Sequence, residues 1–94
     1  MNDDLVATVR RRLAALNPDQ LELRDDSHRH RHHPSHGGGG HLSATIVSKQ
    51  FDGLSRIARH RAVYALVSDL MPARLHALEL VALTPEEFNS QDRS

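Results

Sequence analysis

The chain has no cysteine, no net charge and no long apolar run, and each absence narrows what it can be. Without cysteine it forms no disulfide and offers no thiolate, so any soft-metal or iron–sulfur chemistry needs thiolates from another molecule. Twelve Lys and Arg balance twelve Asp and Glu, whereas a chain built mainly to coat nucleic acid is normally basic. Nothing approaches the ~20 apolar residues of a membrane span, and "MNDD" does not read as a signal peptide. A cytoplasmic protein without membrane association is expected. Its 94 residues suit one small domain, 1–94. No Cys nucleophile exists and no serine sits in a recognisable catalytic motif, so the chain is not expected to be an enzyme.

Histidine is what the chain has in excess. Six of its eight histidines fall between residues 28 and 41, in "DDSHRHRHHPSHGGGGH" (25–41). The His/Gly-rich loop, 28–40, is long for a hairpin connection, and loops of that length are usually functional or mobile. It reads either as a solvated polar connection or as a source of imidazoles for a borderline metal such as zinc, nickel or copper. It lacks the fixed ligand spacing of a zinc finger. The four glycines carry no phosphate-binding motif and read as slack.

Around the loop the pattern is regular. Asp3 or Asp4 can cap a first helix with apolar positions Leu5, Val9, Leu13 and Leu16, stopped at Asn17-Pro18. "LELR" (21–24) and "HLSATIVS" (41–48) read as an antiparallel strand pair. "KQFDG" (49–53) is a turn. Val63, Leu66, Val67 and Leu70 predict a helix over about 59–71, with an extra turn from "LSRIA" before it and Pro72 ending it. "LHALELVALT" (75–84), apolar on both faces, reads as a strand covered by helices and parallel to the second. "TPEE" supplies Thr84 as N-cap, Pro85 and Glu87 for a closing helix, with Phe88 folding back onto the body. The order α-β-β-α-β-α implies an α+β fold with a three-stranded mixed sheet packed with helices.

Two stretches carry chemistry. A lone histidine such as His76, at the head of an apolar strand, is more often structural. Strict alternation would put it beside Leu78 and Leu80, partly desolvated and neutral, the state that ligates metal. "SRIARHR" (55–61) gathers Arg56, Arg59 and Arg61 at a helix start, with Lys49 just before. These cations suit nucleic acid, a partner surface or a solvated face, and no "GxxG" loop accompanies them.

"VSKQFDGLSRIARHRAVYALV" followed by "LHALELVALTPEEF" resembles the BolA family, through the "FDG" turn, "RHRxVY", "HAL" and "TPEE". "DDSHRHRHH" resembles that family's loop, with His30 at the loop histidine and His33 at a second one found in some members. The resemblance implies a type-II KH-like fold and two roles. One is partnership with a monothiol glutaredoxin around a shared [2Fe–2S] cluster. In that role His76 of "HAL" and His30 or His33 would be ligands, and the partner's cysteine and its glutathione would complete the set. Two imidazoles replacing two thiolates on one iron is known chemistry, as in Rieske centres. The other role is DNA-binding transcriptional regulation through Lys49, Arg56, Arg59 and Arg61, although "RHR" also reads as a structural tie to the turn around Asp52. The remaining expectations are weak zinc or nickel binding on the loop, and a monomer or weak homodimer when the protein is alone.

Overall fold

The computed structural model describes residues 2–26 and 40–92. Helix α1 (Asn2–Leu13) continues into a 3-10 turn, Ala14–Leu16. It starts ahead of both aspartates, so Asp3 and Asp4 lie in its first turn instead of at the N-cap. There the Asp4 charge still complements the positive end of the helix dipole. Leu5, Val9, Leu13 and Leu16 are buried as their spacing predicts. Asn17 ends the segment in the left-handed region, φ 49°, with its N–H donating to the Ala14 carbonyl at 2.9 Å. Asn tolerates this conformation better than most residues, and Pro18 then prevents any continuation.

Strands β1 (Gln20–Asp25), β2 (Gly40–Val47) and β3 (Leu75–Leu83) form one sheet in the order β1-β2-β3. β1 runs antiparallel to β2, with Leu21 opposite Ile46 and Leu23 opposite Ala44. β2 runs parallel to β3, with Leu42 beside Leu78, Ala44 beside Leu80 and Ile46 beside Ala82. These residues share the face that meets the helices. The core there includes Phe51, Val63, Val67 and Leu75, all fully buried. Burying each large side chain contributes on the order of 1.5–3 kcal/mol.

The opposite face carries Glu22, Thr45 and Val81 in one row and Arg24, Ser43 and Glu79 in the next. Helices therefore cover β3 on one side only, contrary to its sequence pattern. On that uncovered face Val81 is left 47 % exposed.

Helix α2 (Arg56–Val67) starts three residues earlier than apolar spacing predicts, because Ser55 caps it by accepting the Ala58 N–H at 3.1 Å. "SRIA" is its own first turn, and a 3-10 turn, Ser68–Leu70, follows it. Ser48, fully buried, donates to the Leu16 carbonyl at 2.7 Å and accepts the Gln50 N–H at 3.1 Å, tying the "KQF" turn to the end of the first helical segment. Gly53, φ 79°, takes the one backbone conformation in that turn that an L side chain resists. Helix α3 (Pro85–Asp92) opens on the expected capping box. Glu87 N–H donates to Thr84 Oγ1 at 3.1 Å, and Thr84 N–H donates to Glu87 Oε1 at 3.0 Å. Phe88 is half-buried and is not among the side chains packed against the core. No helix of the described residues is long and apolar enough to cross a membrane.

Candidate functional site

His76 does not lie where strict alternation would put it. The Gly40 N–H donates to the Arg74 carbonyl and the Ser48 N–H to the Leu83 carbonyl, both at 2.9 Å. β3 therefore spends one more residue between these bonds than β2 does. The register shift falls where Gly40 pairs with Leu75 and His41 with Ala77, leaving His76 as the extra residue. Such a β-bulge re-aims one side chain at the cost of a ladder bond. His76 is consequently exposed and does not share the face of Leu78 and Leu80.

The bulge brings His76 to His41. Their ring centres are 5.0 Å apart and their planes are inclined at 39°. His41 is half-buried, with its Nε2 closed to solvent. Sequence reasoning passed over this second histidine, reading it as the first residue of a strand. The signal was present. With Leu42, Ala44 and Ile46 facing the core, alternation places His41, Ser43 and Thr45 on the opposite face.

The base of the site is braced by Asp26, which is buried just beyond β1. Its N–H donates to the His41 carbonyl at 2.7 Å. Its carboxylate accepts Arg24 Nε at 2.8 Å and the Ser43 hydroxyl. Arg24 is held in its charged form, its pKa raised first by the hydrogen bond to Asp26 and then by that carboxylate's charge. His30 and His33, with His28, His32 and His36, lie outside the described residues.

Two imidazoles on one tetrahedral ion, with metal–nitrogen bonds of about 2.0–2.1 Å, keep their ring centres about 5 Å apart. The His41–His76 spacing fits that arrangement. Among the described residues no group of three or more His, Asp or Glu could hold a metal ion. A metal ion held by this pair would need its remaining ligands from elsewhere.

The nucleic-acid candidates separate into engaged and available cations. Arg59 is engaged, its side chain only 13 % exposed. It donates to the Leu54 carbonyl at 3.0 Å, the Ala82 carbonyl at 3.1 Å, and both Glu87 oxygens at 2.6 and 3.2 Å. The Glu87 carboxyl is held down to about 2, first by the Arg59 hydrogen bond and then by the Thr84 backbone. Arg59 thus ties α2 to the turn around Asp52, through the Leu54 carbonyl, as the sequence suggested, and also to β3 and α3 through Ala82 and Glu87. Arg56, Arg61 and Lys49 are exposed and in no ion pair among the described residues. Arg56 and His60 line a hollow of about 230 Å³ against Leu80–Leu83.

A family model described as "BolA-like protein" matches residues 13–87. The chain belongs to the BolA-like family. A fission-yeast (Schizosaccharomyces pombe) relative, "UV-induced protein uvi31", is 42 % identical over 81 residues, covering 80 % of this chain and 79 % of that protein. "DNA-binding transcriptional regulator BolA" of Haemophilus influenzae is 32 % identical over 77 residues, covering 82 % and 73 %. The solved structure of a Bol-like protein from Babesia bovis superposes with a TM-score of 0.76 at 31 % identity, covering 93 % of this chain and 92 % of that one. The α+β BolA-like fold follows from both comparisons. The "FDG" turn, the "RHR" helix and the "HAL" strand that carried the resemblance all fall inside the matched residues.

Proposed function

We propose that this BolA-like protein is a binding adaptor that shares a [2Fe–2S] cluster with a monothiol glutaredoxin in the cytoplasm. The observation that carries this reading is the His41–His76 pair, two imidazoles 5.0 Å apart at a strand bulge. His76 is the ligand whose position the ladder fixes. His41 is the imidazole the fold holds beside it, and His30 and His33 are the rival sources of the second ligand.

With no cysteine in the chain, imidazole nitrogen is the donor it can offer to iron, and the partner's cysteine with its glutathione would supply sulfur. Imidazole ligation raises the reduction potential of such a cluster relative to all-thiolate ligation. Asp26 and Arg24 keep the β1 end of the site charged and rigid, so the chain's part is to present two nitrogens in a preformed arrangement.

The test is co-expression with a monothiol glutaredoxin, followed by visible absorption and circular dichroism of the purified complex. His76→Ala and His41→Ala should each abolish the histidine-ligated spectrum while the protein stays folded. His30→Ala and His33→Ala should leave it largely intact. A spectrum unchanged in His76→Ala removes the mechanism. Loss in His30→Ala with retention in His41→Ala assigns the second ligand to the loop.

A second reading, DNA-binding regulation, is supported by the Haemophilus relative's description and by the available cations Arg56, Arg61 and Lys49. If it holds, Arg56→Ala should weaken binding to all sequences alike and lower the salt slope by about one. Absence of binding at low salt would exclude it.

A further inference from the structure

The outer edge of β3 is closed at two points and open between them. Leu83 turns its carbonyl toward β2, where Ser48 N–H binds it. Since the strand period is two, Ala82, Leu80 and Leu78 turn their backbone groups outward. The Leu78 carbonyl accepts the Tyr64 hydroxyl at 2.6 Å, and the Ala82 carbonyl accepts Arg59 at 3.1 Å. Both caps come from α2. Between them the outward N–H and C=O of Leu80 border the hollow of about 230 Å³ lined by Arg56, His60 and Leu80–Leu83. Arg56, His60 and Tyr64 recur every four residues and so form one helix stripe along this slot.

We infer that this slot docks a short extended peptide segment of apolar and acidic residues, pairing its backbone with Leu80 and setting a carboxylate against Arg56. In an antiparallel pair, one hydrogen-bonded residue couple exchanges both N–H···O bonds. Leu80 offers one such couple. The capped carbonyls of Leu78 and Ala82 force the added chain away from the edge on either side. The slot therefore admits a brief strand addition and refuses the extended edge pairing that leads to aggregation.

Charge selects the occupant. Arg56 is exposed and has no carboxylate partner among the described residues, whereas Arg59 beside it is neutralised by Glu87. Leu80 to Leu83, which line the slot beside Arg56, can meet an apolar side chain. A nucleic-acid backbone fits less well. Arg56 is the only arginine lining the slot, so it can meet one carboxylate but not the run of phosphates that a nucleic-acid backbone presents. The slot lies roughly 13 Å along β3 from His76, at about 3.3 Å per residue, so it is separate from the histidine pair.

The test uses the ¹⁵N-labelled full chain, titrated with an acetylated, amidated hexapeptide of alternating Val and Asp. Amide shifts should concentrate at Leu80, Val81 and His60 and saturate in the millimolar range. Arg56→Glu should weaken binding about fivefold or more, and Arg61→Glu, an equal charge change elsewhere on α2, should not. Arg56→Glu should in turn bind the Val/Lys hexapeptide that the natural chain ignores. The proposal is overturned by no localised shifts, by equal effects of the two arginine changes, or by shifts centred on His41 and His76. It is equally overturned if a ten-nucleotide oligo-dT, and not the peptide, produces the Leu80 pattern.

Discussion

Replacing Arg59 by alanine separates a structural arginine from a phosphate-binding one. The change removes two charge-assisted bonds to backbone carbonyls, Leu54 and Ala82, and a bidentate bond to Glu87. Each carbonyl bond contributes about 1–1.5 kcal/mol net, since both acceptors partly regain water. The ion pair adds at most about 1 kcal/mol, because the Glu87 side is 46 % exposed. A loss of about 2–4 kcal/mol follows, a large share of the stability of a small domain. Urea unfolding followed by far-UV circular dichroism should show the midpoint lowered by about 2 M or more, for a slope near 1 kcal/mol/M. Arg56→Ala, on the same helix but exposed, should change stability by less than about 0.5 kcal/mol. Arg59→Lys keeps the charge without the planar fork and should fall between. If Arg59→Ala proved as stable as Arg56→Ala, the three-element tie would carry no weight and the residue would return to the nucleic-acid candidates.

The Glu87 carboxyl, held at about 2 against an ordinary 4.5, makes the same tie acid-sensitive. Its contribution is complete above the ordinary carboxylate range and is lost as pH falls toward 2, so the urea midpoints of natural protein and Glu87→Gln should differ at pH 7 and converge near pH 2. Ser48→Ala leaves the buried Leu16 carbonyl without its donor and should cost about 1–3 kcal/mol by urea unfolding, whereas Ser68→Ala, at an exposed position, should be near neutral. Nickel or zinc binding to the isolated protein, followed by isothermal titration calorimetry, should fade below pH ~6.5 as imidazoles protonate, and retention of affinity at pH 5 would exclude histidine as the ligand.

The fold was readable wherever one local signal decided an element. The apolar spacing of Leu5, Val9 and Leu13, the β-branched run of β2 and the capping box at Thr84 each named their element correctly. What escaped depended on neighbours. The exposure of β3 on one face follows from all the helices packing on the other, which its own apolar pattern does not reveal. The bulge at His76 arises from matching two parallel strands of unequal residue count, and the residue types around it do not mark it. His41 gained importance only when that bulge turned His76 toward it. For Arg59 the sequence suggested the tie to the nearby turn, but its bonds to Ala82 and Glu87, 23 and 28 residues away, appear only in the fold.

The bond from Asp26 N–H to the His41 carbonyl, 2.7 Å, has a further consequence for how the chain can vary. It brings Asp26 and His41 together at the tip of the β1–β2 ladder, so the two ends of the connection between the strands are held by the fold itself. Closure entropy rises with the logarithm of length, and doubling such a segment costs only about 0.6 kcal/mol. The composition and size of the insert are therefore nearly decoupled from the stability of the domain. A histidine-rich, glycine-rich insert can be exchanged for a shorter or chemically different one while the core and the His41–His76 geometry stay as they are. In this architecture the connection beside the fixed pair can diverge quickly among descendants, because selection on folding hardly reaches it.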